Sequence, residues 1–104
     1  MSFTGNEDHS ITLEEAAKLT RNYRSKAGEG AKKGGFFGKD TLQKILDQES
    51  CVGIRIYFGE ADNGTPEPVL VGVDDMENDL IEGLLAERDR ACPPFCGEEN
   101  ELNS

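Results

Sequence analysis

Hydrophobic and polar positions alternate in two stretches of the chain that flank a turn-rich segment. β-Branched and aromatic residues occupy every second position in these stretches: Val52, Ile54, Ile56, Phe58, Val69, Val71 and Val73. This period is typical of β-strands with one buried face. Residues 59–66 contain Gly, Asn-Gly and Pro, which favour a turn. The pattern therefore predicts an antiparallel hairpin with these apolar residues together on its buried face.

Apolar residues at helical spacing predict three helices. The first begins at Thr12, whose side chain can form a capping box with Glu15. The second covers residues 39–48, and the third covers residues 79–86. A glycine inside the third pattern weakens it, so a short strand at residues 79–81 is the alternative for this segment.

These elements predict an α+β fold in the order helix-helix-strand-strand-helix. An isolated hairpin is marginally stable in water, so we expect the helices to cover its Val/Ile face. The expected core consists of Leu46, Ile54, Ile56 and Val71, buried together.

The length of 104 residues indicates one small domain. We expect it to span residues 11–97, between a flexible N-terminus of residues 1–10 and an acidic tail of residues 98–104. Residues 28–35 contain four glycines. A phosphate-binding loop follows a strand and opens a helix, whereas this segment follows a helix, so it is predicted to be a flexible linker inside the domain.

The formal net charge of −10 is concentrated in the second half of the chain. Residues 1–50 carry eight acidic and eight basic side chains, whereas residues 51–104 carry thirteen acidic and three basic ones. Such a surface repels phosphate backbones, so we expect no nucleic-acid partner. No stretch approaches the roughly 18 apolar residues of a membrane span, and the N-terminus lacks the pattern of a secretion signal. The sequence therefore predicts an acidic cytoplasmic protein with no membrane association.

Two cysteines enclose the string Cys92-Pro-Pro-Phe-Cys96, and Cys51 is the third. In the interpretation we favour, all three are small packing residues with free thiols, because prolines oppose the turn that a disulfide between positions four apart requires. The alternatives are a zinc site, with Cys51 and His9 as further ligands, and a redox pair. No cofactor is expected in the favoured interpretation, and zinc is the cofactor in the alternative.

Arg55 lies in the middle of the first predicted strand, on the second face with Tyr57 and Leu70. These three residues are the candidate partner-binding site. Arg55 could anchor an acidic or carbonyl-bearing partner, or it could pair with a carboxylate of its own chain. The acidic residues between 74 and 82 do not fit a calcium-binding EF-hand, because the glycine at its sixth position is missing.

Nothing in the sequence indicates catalysis. There is no Gly-x-Ser-x-Gly string, and the single histidine, His9, lies in the N-terminal segment. The sequence therefore predicts a non-enzymatic interaction or accessory protein. It would bind a protein partner through an edge of the hairpin or through the face of Arg55 and Tyr57, and the same edge could form a homo-oligomer. A zinc or redox protein that uses Cys92 and Cys96, with Cys51, is the alternative.

Three strings in this order resemble a family of short, uncharacterised bacterial proteins: Cys-Val-Gly-Ile-Arg-Ile-Tyr-Phe-Gly from Cys51, Leu-Val-Gly-Val-Asp from Leu70, and Cys-Pro-Pro-Phe-Cys from Cys92. The resemblance covers roughly residues 11–97. It implies a helical N-terminus followed by the two strands. The matching positions are Cys51, Arg55, Tyr57, Cys92 and Cys96. The resemblance carries no activity with it.

Overall fold

The computed structural model describes residues 2–104, which form a mixed α+β structure with two helices and antiparallel strands. The elements are α1 (Leu13–Ala27), β1 (Gly34–Phe36), α2 (Lys39–Leu46), β2 (Cys51–Glu60), β3 (Pro66–Asp74), β4 (Leu85–Ala86) and β5 (Arg90–Cys92). The predicted α+β class is therefore confirmed, whereas the predicted order of elements lacks β1 between the two helices and has a third helix where β4 and β5 follow the hairpin.

The described chain divides into two compact units. The first unit comprises residues 2–8 and 37–89, and it contains α2 and a three-stranded sheet in the order β2-β3-β4. The second unit comprises residues 9–36 and 90–104, and it contains α1 and the two-stranded ribbon of β1 and β5.

Helix α1 begins as its sequence predicts. The Thr12 side chain accepts a hydrogen bond from the backbone N–H of Glu15 at 3.0 Å, and the Thr12 N–H donates to the Glu15 carboxylate at 3.2 Å. This capping box satisfies two backbone donors at the start of the helix. The helix ends at Gly28, whose φ of 89° lies in the left-handed region that favours glycine. Within residues 2–104, neither α1 nor α2 combines the length and the apolar character that a membrane-spanning helix requires.

Helix α2 packs against β2 and β3 through Ile45, which is only 1% exposed. Its neighbour Leu46 is 42% exposed, so the prediction that Leu46 belongs to the core is wrong. The two residues are about 100° apart around the helix axis, and only one of them can face the sheet.

The strands β2 and β3 pair with a register that the alternating pattern alone does not reveal. Five residues, 61–65, connect the strands, and this odd number pairs even-numbered residues with even-numbered ones. Ile54 lies opposite Gly72, and Arg55 lies opposite Val71. Because directly opposite residues share a face, the valines of β3 lie on the face of Arg55 and not on that of Ile54. The prediction of a common Val/Ile face is therefore wrong.

The core of the first unit accordingly contains residues from both faces of β3. Leu70, Val71 and Val73 are each 3% exposed. The predicted burial of Val71 is confirmed, and Ile54 is half-buried. Ile56 is 57% exposed, so its predicted place in the core is wrong.

The predicted third helix does not form. Asp79 instead makes an isolated antiparallel bridge with Val73, and β4 pairs with β3. The backbone N–H of Leu80 donates to Gly72 O at 2.8 Å, which ties the segment to the sheet. Of the alternative, a short strand over residues 79–81, the structure contains only the bridge between Asp79 and Val73. Pairing with β3 residues six to sixteen positions earlier in the chain replaces the helical hydrogen bonds that the local spacing predicted.

The last two residues of the glycine-rich segment 28–35 form part of a strand. Gly34 and Gly35 belong to β1, where Gly34 pairs with Cys92 and Gly35 with Ala91 of β5. The linker prediction is therefore wrong for these two glycines.

Candidate functional site

The outer edge of β2 is the longest strand edge in the first unit. The sheet order is β2-β3-β4, so β3 lies on one side of β2, and no strand of residues 2–104 lies on the other. This edge extends over the ten residues from Cys51 to Glu60. An edge strand presents a row of backbone donors and acceptors to whatever approaches it.

Bonds on the far side of β3 show which backbone groups of β2 point outward. Gly72 O accepts from the N–H of Leu80 at 2.8 Å, and the Asp74 N–H donates to Asn78 O at 3.0 Å, so Gly72 and Asp74 direct their polar groups away from β2. In an antiparallel pair, the residues opposite such positions also point away from the partner strand. The outward-pointing residues of β2 are therefore Ile54, Ile56, Phe58 and Glu60. Their backbone groups make no hydrogen bond within the described part of the chain.

Exposed apolar side chains lie along this edge. Ile56 and Phe58 are on one face and are 57% and 100% exposed, and Tyr57 on the other face is also exposed. Side chains of β2 are therefore exposed on both of its faces at residues 56–58. We name the outward edge and side chains of residues 54–60 the β2 edge.

The other edges of this sheet are less suited to pairing. Beyond the two residues of β4, the outer side of β3 carries Pro66 and Pro68. Proline has no N–H to donate, and it is a common means of blocking a strand edge. The β2 strand contains no proline over its whole length.

The N-terminal segment approaches the beginning of β2. A Cβ atom on Gly5 would lie 2.9 Å from the carbonyl oxygen of Val52, so the backbone there passes close to β2. The register also shifts between Cys51 and Gly53. The regular and accessible part of the edge consequently begins at Ile54 and continues to Glu60.

Arg55 and Tyr57 share a face of β2, and both bond the same carboxylate. Arg55 Nη1 donates to Asp79 Oδ1 at 2.6 Å, and Tyr57 Oη donates to Asp79 Oδ2 at 2.5 Å. The interaction with Tyr57, followed by that with Asp79, raises the pKa of the Arg55 guanidinium. The guanidinium also lies 5.9 Å from the centre of the Phe3 ring. Of the two interpretations of Arg55, the structure contains the intramolecular pair.

Leu70 does not join these two residues. It lies opposite Ile56, on the other face of the sheet, and it is buried. The predicted three-residue site is therefore not assembled, because the register separates Leu70 from Arg55 and Tyr57.

The charges of the chain are unequally divided between the two units. The first unit carries fifteen acidic and four basic side chains, a formal net charge of −11. The second unit carries six acidic and seven basic side chains, a formal net charge of +1. The electrostatic potential around the β2 edge is therefore set by a strongly acidic unit.

An acidic cluster that the sequence did not predict lies in the first unit. Carboxylate oxygens of Glu67, Glu87 and Asp89 lie within 4.8 Å of one another, and all three residues are half-buried. Glu67 is opposite Gly59, near the distal end of the hairpin. Glu87 lies twenty positions after Glu67, so no local spacing signals their proximity. These three acidic side chains are among the fifteen counted in the formal net charge of the first unit.

The cysteines are divided between the units. Cys92 and Cys96 form a disulfide in the second unit, with their Cα atoms 4.7 Å apart. The expectation that both remain thiols is therefore wrong, because the intervening prolines do not prevent the turn. Cys51 in the first unit is a free, half-buried thiol whose Sγ lies 3.2 Å from Gly53 O. In the disulfide form, Cys92 and Cys96 offer no thiolate to a zinc ion.

Comparison with known proteins finds that no protein-family model, no curated protein and no solved structure matches this chain. The resemblance to a family of short bacterial proteins stays a prediction.

Proposed function

We propose that the chain is a non-enzymatic protein-interaction module that binds an extended segment of a partner protein along the β2 edge. The observation that carries this proposal is the row of outward backbone groups at residues 54–60, which make no hydrogen bond within the described chain. An added strand would pair with these groups and extend the sheet by one strand.

Side chains beside this row support the same function. Ile56 and Phe58 leave a large apolar area in water next to the open edge. Long, apolar edge strands without protecting charges or prolines promote aggregation, and folded proteins usually avoid them. A partner strand would bury the side chains of Ile56 and Phe58 while it pairs with the outward backbone groups of the same two residues.

Charge favours one kind of partner. The first unit has a formal net charge of −11, and the strand that carries the edge contains one arginine and one glutamate. A partner segment with lysine or arginine among apolar residues would be attracted to this unit. A second copy of the chain would instead bring two strongly acidic units together. We therefore assign the edge to a basic, extended segment of another protein.

Two variants at one position test the proposal. Phe58→Pro removes an N–H that points at the open edge and breaks no bond to β3, since Phe58 lies in an outward-pointing pair with Pro68. Phe58→Ala removes the aromatic ring and keeps that N–H. The probe is a fluorescent peptide in which lysine and valine alternate, and the control peptide has glutamate in place of lysine. Binding is measured by fluorescence anisotropy at low and moderate salt concentration.

We expect the lysine peptide to bind, its affinity to fall with salt, and the glutamate peptide to bind much more weakly. Phe58→Pro should weaken binding by at least about tenfold, or about 1.4 kcal/mol, and more than Phe58→Ala does. Equal losses of affinity for the two variants would show that the peptide contacts the Phe58 ring and does not pair with the backbone of β2. Unchanged binding by Phe58→Pro would refute the proposal. A dimer in sedimentation that Phe58→Pro dissociates would assign the edge to a second copy instead.

A further inference from the structure

The disulfide of the second unit lies where the β-ribbon meets the C-terminal segment. Cys92 ends β5, and its carbonyl accepts from the N–H of Lys33 at 2.6 Å. On the other side of the disulfide, the Asn103 side chain donates to Cys96 O at 3.1 Å. The S–S bond therefore joins Cys92, which is paired in the ribbon, to Cys96, which is hydrogen-bonded to Asn103 near the end of the chain.

Two cations hold this C-terminal segment on the same unit. Arg24 of α1 donates to Leu102 O at 2.6 Å, and Lys33 Nζ donates to Asn103 O at 2.6 Å. A cavity of about 420 Å³ adjoins them, with Tyr23, Arg24, Lys33 and Ser104 in its lining. Backbone carbonyls of residues 102 and 103 thus accept hydrogen bonds from Arg24 and Lys33, two basic side chains that could otherwise bind an anionic group.

Apolar burial contributes little to this arrangement. Among the described hydrophobic residues of the second unit, Ala17 is the only buried one. Leu102 is 42% exposed and Phe95 is exposed as well. Exposed hydrogen bonds are individually weak, so the disulfide is the strongest constraint on where residues 97–104 begin.

The disulfide also closes a very short loop. Cys92 and Cys96 are only four positions apart, and closing so short a loop restricts the unfolded chain much less than joining distant segments does. The pairing of β1 with β5 is made by backbone groups of three residue pairs, and the S–S bond joins no residue of β1. Opening the bond should therefore act locally and leave the rest of the unit folded.

We propose that the Cys92–Cys96 disulfide is a redox-responsive clasp, and that its reduction releases residues 97–104 and uncovers Arg24 and Lys33. The reductant is a dithiol. One of its thiolates attacks a sulfur of the disulfide, forming a mixed disulfide and releasing the other cysteine as a thiolate, which takes up a proton. The second thiol of the reductant then displaces the remaining cysteine. Two electrons and two protons pass to Cys92 and Cys96, and the reductant leaves as a cyclic disulfide.

Hydrogen exchange of the full chain, with and without dithiothreitol, tests the clasp. Thiol titration should find one reactive cysteine under denaturing conditions before reduction and three afterwards. On reduction, amide exchange in residues 97–104 should rise by about tenfold or more, while exchange in α1 and in β1 changes little. Cys51→Ser serves as the matched control, since it removes a thiol and keeps the disulfide.

The variant Cys92→Ser/Cys96→Ser should exchange like the reduced protein whether or not dithiothreitol is present, and Cys51→Ser should respond like the wild type. Equal exchange of residues 97–104 in both redox states would overturn the proposal. An equal rise in α1 would also overturn it, because the disulfide would then stabilise the whole unit. Three reactive thiols in protein never treated with a reductant would show that the clasp does not form.

Discussion

The placement of α2 can be tested by comparing two adjacent residues. Ile45 is 1% exposed and faces the sheet of β2 and β3, whereas Leu46 is 42% exposed. Both side chains lose three carbon atoms on replacement by alanine, and the two variants change helix propensity in the same direction. Ile45→Ala and Leu46→Ala therefore differ mainly in burial.

The expected magnitudes follow from these exposures. Removing three buried methyl or methylene groups from Ile45 forfeits about 2.4 kcal/mol of transfer free energy, at about 0.8 kcal/mol each. A cavity beneath the helix adds to this loss, so we expect Ile45→Ala to lower the free energy of unfolding by about 3–4 kcal/mol. Leu46 is already partly in water and leaves no enclosed cavity, so Leu46→Ala should cost about 1 kcal/mol or less.

Urea unfolding followed by circular dichroism measures both values, provided that the slope of the transition stays constant across the variants. The two variants serve as controls for each other, because they occupy the same helical turn. Equal losses would mean that α2 is rotated about its axis so that Leu46 faces the sheet as much as Ile45 does. A larger loss for Leu46→Ala would restore the core predicted from the sequence and refute the packing described above.

Three further predictions concern local features. A Cβ at Gly72 would lie 2.9 Å from the side-chain nitrogen of Gln48, which is held by its bond to Ile45 O, and 3.0 Å from Cys51 Sγ. Gly72→Ala should therefore lower the free energy of unfolding by about 1–3 kcal/mol. Gly53→Ala meets no atom within 4 Å and should leave it nearly unchanged, and urea unfolding compares the two variants. Thr12→Ala removes the capping box and should cost α1 about 1 kcal/mol, seen as faster amide exchange in its first turn. Backbone N–H groups, that of Thr4 foremost, donate to the Glu7 carboxylate and lower its pKa. The hydrogen bond from Thr4 should therefore be present above the ordinary glutamate pKa and be lost as pH falls through the lowered value. An NMR titration of the Thr4 amide that shows its transition at or above the ordinary value would contradict this assignment.

The sequence predicted the features that depend on neighbouring residues. The capping box of α1 needs only Thr12 and Glu15, which are three positions apart, and it is confirmed. The extended segments of the hairpin are also confirmed, because their alternation and their turn are both local signals. These signals determine which residues form an element.

The sequence did not predict how the elements face each other. Alternation alone is consistent with either pairing of the two strands, and only the length of the connection decides between them. The odd loop places Leu70 opposite Ile56, and this one step moved Leu70 from the predicted site into the core. Segment 79–86 shows the same limit, since Leu80 bonds Gly72 of β3 and not a neighbour in a helix.

The two surfaces predicted for a partner differ in what binding would require. Arg55 and Tyr57 already bond Asp79, so a partner on that face would have to break a charge-assisted bond before making its own. The outward backbone groups of Ile56 and Phe58 bond no other described residue. A partner strand would replace only the water molecules that hydrate them. Because a new bond contributes most where no existing bond is lost, we propose the open edge of β2, and not the face of Arg55 and Tyr57, as the binding surface. The Asp79 interactions tie Arg55 and Tyr57 to the segment that follows β3, and in the proposed complex a β2 edge already held in place would lower the ordering cost of binding.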